Sequence, residues 1–261
     1  MTSLEHILEP IRTALSSTFS SLASSKVSSI DALRLCDEFI SSATLEAAYG
    51  DSYAFFGRMR GAGEALPQPF EGIDEDRGIK GPDRRLQPYI RSQLFIALVA
   101  EVEDFLSQLL MAVFRAYPQK LQDQSVKINQ ILELGSIEAA IDNAATNELT
   151  KMFYASPEDY RKRIEEILSM GTQVLGPVWP SYAEMKARRD VGLHNNWQQD
   201  DRYRRKVSVA GATIPSTDFL GVDRDYFSAA FDVAKAVVEI CTSHCTEKFR
   251  GKTENHDMGA V

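Results

Sequence analysis

The sequence predicts an all-α fold, a helical bundle. Apolar residues recur at spacings of three and four along most of the 261-residue chain, the period of an amphipathic helix. Alternating apolar and polar runs, which would mark strands, are scarce. Helix-starting signatures stand in front of several of the periodic stretches. The composition, 44% hydrophobic and 25% charged, is that of an ordinary globular protein with ample material for a core.

The first periodic stretch carries Leu4, Leu8, Ile11, Leu15, Phe19 and Leu22 on one stripe, with Thr2 and Glu5 spaced as a capping box. Residues 30–60 continue helically through Leu33, Phe39 and Leu45. Prolines and glycines from Pro67 to Pro88 then break the pattern, and this loop, about residues 61–88, is the expected boundary of an added N-terminal helical region, residues 1–88. The main bundle is expected over 89–250 and a flexible C-terminal tail over 251–261.

The next helix is the clearest. Leu94, Leu98, Val102, Phe105, Leu109 and Val113 form one stripe, and Phe95, Val99, Leu106 and Leu110 a second, with Glu103 between them. So wide an apolar band predicts burial on most sides, with an end before Pro118. Glu103 then faces the interior, which is costly unless a cation meets it. Ser156-Pro157-Glu158-Asp159 opens another helix with an N-cap, a first-turn proline and acids at the positive dipole end. Tyr160, Ile164 and Ile167 supply its core face. Ser181 and Glu184 read as a capping box for a helix reaching His194. Residues 206–214 around Gly211 suggest a short β-hairpin, and a last helix over about 225–249 buries Tyr226, Ala230, Val233, Val237 and Ile240.

Charge and cysteines narrow the setting. The net charge is −8, wrong for a protein that coats nucleic acid non-specifically. Residues 184–206 nevertheless hold seven basic against four acidic residues: either a local polyanion contact or a set of solvated loop charges. Three cysteines make no disulfide framework, so a reducing cytoplasm is expected. No signal-peptide pattern is seen, and the longest clean apolar run, residues 94–100, is too short for a membrane span.

Chemistry concentrates in Arg188-Arg189-Asp190-Val191-Gly192-Leu193-His194-Asn195-Asn196. On a helix from near Tyr182, Arg189 shares a face with Tyr182, Met185 and Leu193 and points into the bundle. His194 lies about 140° around from it, so the two side chains do not meet within one chain. Asp190, four residues before His194, shares its face and is placed to hold the imidazole in one tautomer. Two-fold pairing of chains would gather both residue types around one phosphate. Gly192 either admits a partner backbone or is a tolerated helix glycine.

Arg189-x4-His194, with Asp190 directly after the arginine, resembles the R-x4–6-H motif of HEPN domains, which are often ribonucleases. The helix through Glu103 resembles that family's long helix with its inward acid, and His194-Asn195-Asn196 with Tyr203, Gly211 and Tyr226 resembles its bacterial branch. The resemblance covers about residues 89–248. It departs at Asn196-Trp197, where related sequences often carry a small residue or glycine. It implies a HEPN-like bundle and a metal-independent endoribonuclease that cleaves cellular RNA through attack of the 2′-OH, without cofactors. The implied setting is a toxin or antiviral-defence effector, acting as a homodimer with a composite active site and answering to an inhibitor or defence-system partner.

In that scheme His194 moves the proton, Arg189 stabilises the transition state, Asp190 orients His194 and Glu103 positions Arg189. Lys186, Arg188, Asn195 and Asn196 would hold flanking phosphates or 2′-hydroxyls. The alternative is a non-catalytic module of the same kind that binds RNA or a protein, with His194 capping its helix and Glu103–Arg189 a structural pair. Cys241, His244 and Cys245 share a helical face but lack a fourth ligand, so core packing is expected and not a metal site. Trp197 can stack on bases, whereas Trp179 reads as a wedge against a neighbouring helix. The acidic balance of the first stripe favours packing over membrane binding.

Overall fold

The computed structural model describes residues 2–41, 86–121 and 134–249, with side chains for 13–37, 90–121 and 134–248. Seven α-helices lie among them: α1 (Thr2–Ser41), α2 (Leu86–Ala116), α3 (Ile137–Tyr154), α4 (Pro157–Ile167), α5 (Trp179–His194), α6 (Asp201–Val209) and α7 (Arg224–Phe249), with one 3-10 turn at Pro118–Lys120. The protein is all-α in these residues. Most of the Pro/Gly-rich loop and the C-terminal tail lie outside the described residues, as do residues 42–60.

α2 is the axis of the bundle and packs against α1, α3, α4, α5 and α7. Both of its apolar stripes are buried: Phe95, Leu98, Val99, Val102, Phe105, Leu106, Leu109 and Val113 are all 0% exposed. Side chains of this size contribute roughly 1.5–3 kcal/mol each when fully buried, so α2 anchors the core. α7 answers it with two stripes of its own, including Phe227, Phe231, Ala234, Val237 and Val238.

α1 belongs to the same core, through Leu15, Phe19 and Ile30. Leu22, Ala23, Val27 and Leu33 pack at its edge, and ion pairs add to the attachment. Lys26 pairs with Glu101 and Asp104 of α2, Asp37 accepts from Arg91 Nε at 2.8 Å, and Asp31 pairs with Lys235 of α7 at 2.8 Å. The helix start at α4 follows the sequence: the Ser156 hydroxyl accepts from the Asp159 N–H, and Tyr160, Ile164 and Ile167 are buried.

Two local expectations are corrected. Ser181 and Glu184 do not cap α5. The helix starts at Trp179, with Val178 at the N-cap and no side-chain cap, because the Trp179 ring is buried against Tyr160 and its Nε1 donates to Pro157 O at 2.7 Å. This fixes the first turn three residues early and confirms Trp179 as a wedge. The hairpin at 206–214 is absent: residues 201–209 form α6, capped by Asp200 accepting from the Tyr203 N–H. Gly211, at φ +74°, turns the chain out of it. The only β-bridge among the described residues is an isolated antiparallel one, Gln198 with Phe219.

Shared packing makes α1 part of the cooperative unit. Phe19→Ala should cost about 3–5 kcal/mol, which at about 2–4 °C per kcal/mol for a chain of this size lowers one thermal transition. Calorimetry reads this directly; an unchanged main transition would show that α1 folds apart from the bundle.

Candidate functional site

α5 is held between two apolar clusters. Tyr182 and Met185 enter the main core, while Ala187 and Val191 form a second cluster with Tyr203, Val207 and Leu220 beneath α6. With both sides gripped, every polar residue of α5 has a fixed direction.

Toward α2, Arg189 meets Glu103. Nη1 donates to Oε2 at 2.7 Å and Nη2 to Oε1 at 3.2 Å, a two-pronged contact. Lys186 reaches the same carboxylate at 2.9 Å, with its ammonium 4.4 Å from the centroid of the Tyr160 ring. The interior acid therefore has two cations, one more than the sequence required. Burial pushes the Glu103 carboxyl up, but Lys186 and Arg189 outweigh it and hold it below its ordinary value. Burial likewise lowers the Lys186 ammonium, against the pull of Glu103. The neighbouring hydroxyls of Tyr160 and Tyr182 are buried and make no hydrogen bond among the described residues.

Toward α6, Asp190 accepts from Lys206 at 2.9 Å and from Arg189 Nε at 3.2 Å. Burial would raise its carboxyl, but the Lys206 hydrogen bond and charge hold it below the usual range. Asp190 shares a cleft of about 290 Å³ with His194, as the helical spacing requires. It does not hydrogen-bond His194, however, and orients Arg189 and Lys206 instead. His194 is exposed at the last turn of α5 and makes no hydrogen bond or ion pair among the described residues.

Two predicted phosphate contacts are also reassigned. Lys186 is turned inward on Glu103. Arg188 is 7% exposed: its Nε donates to Glu184 Oε1 at 2.8 Å, its Nη1 donates to Gly221 O at 3.1 Å, and its guanidinium lies 3.7 Å above the Tyr226 ring. Glu184 also accepts from the hydroxyls of Tyr203 at 2.6 Å and Tyr226 at 2.5 Å. This buried Glu184–Arg188–Tyr203–Tyr226 knot ties α5 to α6 and α7, and both cations are committed to carboxylates within the chain. The i, i+4 spacing of Glu184 and Arg188 was its one visible sign.

Asn195 and Asn196 remain exposed, as a ligand contact requires. Asn195 Nδ2 donates to Gln198 O at 2.8 Å. Asn196 and Trp197 are both left-handed, at φ +48° and +63°, a conformation in which a bulky residue carries strain that glycine would not. The turn folds the Trp197 ring back over Gly192, where an added Cβ would lie 2.6 Å from the ring, and near Phe95 at 6.2 Å between centroids. Gly192 thus makes room for the chain's own tryptophan and not for a partner backbone. Cys241 and Cys245 are fully buried, and His244 Nε2 lies 3.3 Å from Ser169 O. No group of three or more potential metal ligands stands together among the described residues. No described helix is long and apolar enough to cross a membrane.

Comparison of the chain with known protein families, curated proteins and solved structures finds no match.

Removing the shared acid should be more damaging than removing either cation. Glu103→Ala strands Lys186 and Arg189 and should cost about 3–5 kcal/mol. Because the folded carboxyl titrates below its ordinary value of 4.5, its stabilisation is complete above that value and is lost as pH falls through the lower, folded one. Urea titrations between pH 6 and 3 should therefore show a steeper acid loss for wild type than for Glu103→Gln. Parallel curves would refute the coupling.

Proposed function

We propose that the protein is a metal-independent endoribonuclease of the HEPN type, acting on cellular RNA as a two-fold dimer. The observation that carries this reading is an exposed, unpartnered His194 at the mouth of a cleft that also holds Lys206. It ends the same helix on which Glu103 and Asp190 lock Arg189 in place. A proton-transfer group must be free, and a transition-state cation must be fixed; the two residues differ in that sense.

The chemistry follows from these groups. The RNA 2′-oxygen attacks the adjacent phosphorus and the bond to the 5′-oxygen breaks, leaving a 2′,3′-cyclic phosphate and a 5′-hydroxyl. The 2′-OH proton passes to one imidazole, and an imidazolium gives a proton to the departing oxygen. Arg189 stabilises the charge on the pentacoordinate phosphorus. Arg189 faces α2 while His194 faces the α6 cleft, so a second copy of the chain is required to bring the two types together. Leu193, 51% exposed beside His194, gives that contact an apolar centre. A role as a toxin or defence effector, held in check by an inhibitor, belongs to the same proposal.

A second reading has one observation in its favour. Lys186, Arg188, Arg189 and Asp190 are all satisfied within one chain, as expected of a non-catalytic module in which the motif is structural. Cleavage assays separate the two. Under the catalytic reading, purified protein cuts cellular RNA in EDTA, and His194→Ala loses about 10²–10⁴ in rate while melting within about 1 kcal/mol of wild type. An equally active His194→Ala protein, or activity that needs added Mg²⁺, would overturn it.

A further inference from the structure

The cleft beside His194 has a feature that the motif does not explain. Its far wall is α6, which carries Arg202 and Lys206 one helical turn apart, both lining the cleft opposite His194. Arg202 is exposed and has no ion pair or hydrogen bond among the described residues. Lys206 has one contact, Asp190, and an ammonium has three donors. The floor is apolar, from Ala187, Val191 and the buried Tyr203 ring.

The acids of the cleft do not cancel these cations. Asp190 is already met from the other side by Arg189. Asp200 is committed as the cap of α6, its Oδ1 taking the Tyr203 N–H at 2.6 Å. The cleft itself holds two acids, Asp190 and Asp200, and two cations, Arg202 and Lys206; with Asp190 shared between Lys206 and Arg189 and Asp200 committed to the cap, Arg202 is the cation left without a counter-ion. A single surplus cation beside an apolar floor suits a singly charged phosphodiester carrying a base. About 290 Å³ sits at the lower edge of ligand-pocket sizes, roughly 300–1,000 Å³, so one nucleotide fits and a duplex does not.

We infer that the α5–α6 cleft is a single-nucleotide subsite in which Arg202 and Lys206 hold a phosphodiester flanking the bond presented to His194. The cations that hold RNA are then those of α6, in place of Lys186 and Arg188. The identity of the ligand as RNA rests on the ribonuclease reading; the phosphate chemistry of the cleft does not.

The test separates these. A 2′-deoxy dinucleotide cannot be cleaved by 2′-OH attack, so its binding, followed by calorimetry on the full-length protein, reports the cleft alone. Arg202→Ala should weaken it at least fivefold with an unchanged melting temperature; Lys206→Ala should weaken it similarly but melt lower, because it also removes a partner of Asp190. Arg204→Ala, whose guanidinium pairs with Asp218 outside the cleft, should change affinity less than twofold. Inorganic phosphate should bind more weakly than the dinucleotide, since it leaves the apolar floor uncovered. If wild type binds as described but cleaves no RNA, the subsite stands and the ribonuclease reading falls. If RNA is cleaved while Arg202→Ala and Lys206→Ala bind the dinucleotide like wild type, the subsite is overturned. It is overturned equally if wild type binds no dinucleotide, or binds free phosphate as tightly.

Discussion

A carboxylate inside the most apolar helix of the bundle is the constraint around which the rest is arranged. Glu103 sits between two stripes of α2 that are buried from Phe95 to Val113, where an unpaired charge would be costly. Arg189 and Lys186 offset that cost together. In doing so they pin the register of α5 against α2, because a helix that presents both cations to one carboxylate has little freedom to slide or rotate. The two-pronged arginine contact adds direction as well as energy.

From that register the remaining directions of α5 follow. One side enters the main core, another packs on α6, and the turn between them places Glu184 and Arg188 against two tyrosines. His194 is what is left outward at the end of the helix. The double left-handed turn at Asn196 and Trp197 keeps it there, since the tryptophan closes back over Gly192 and the chain cannot continue helically past the histidine. Strain of this kind persists only where surrounding packing over-determines it, and here the packing is Trp197 against Phe95.

The parts of this arrangement that were legible in the sequence are those set by periodicity and charge. The α2 stripes, the inward Glu103 and the capped start of α4 could all be read because each depends on residues a few positions apart, whereas the cation that meets Glu103 stands 86 residues on, at Arg189. α6 was not legible, and a hairpin was expected over part of it, because Asp201–Val209 is short and mostly charged; only Tyr203 and Val207 are buried, too few to mark a period. The capping box at Ser181 and Glu184 was a local pattern overruled by the distant contact of Trp179 with α4. The roles of Lys186 and Arg188 were misjudged for one reason: a basic run looks solvated in sequence, and nothing local shows that Glu103 and Tyr226 wait on other helices; only Glu184, four residues before Arg188, was in view. Asp190 was placed on the correct face, but Lys206, sixteen residues on, was the competitor that the helix alone could not reveal.

In the ribonuclease proposed above, Glu103 holds Arg189 so that it acts on phosphate, and Arg189 is not there merely to neutralise the acid. Arg189→Lys addresses this most directly, because lysine keeps the charge facing Glu103 but loses the planar fork. Thermal melting and RNA cleavage should be measured on the same preparation. A protein that melts near wild type and has lost cleavage by about a hundredfold or more, the scale of one transition-state donor, is the predicted result. A lysine variant that melts like wild type and cleaves equally well would contradict the claim and leave Arg189 a structural counter-ion.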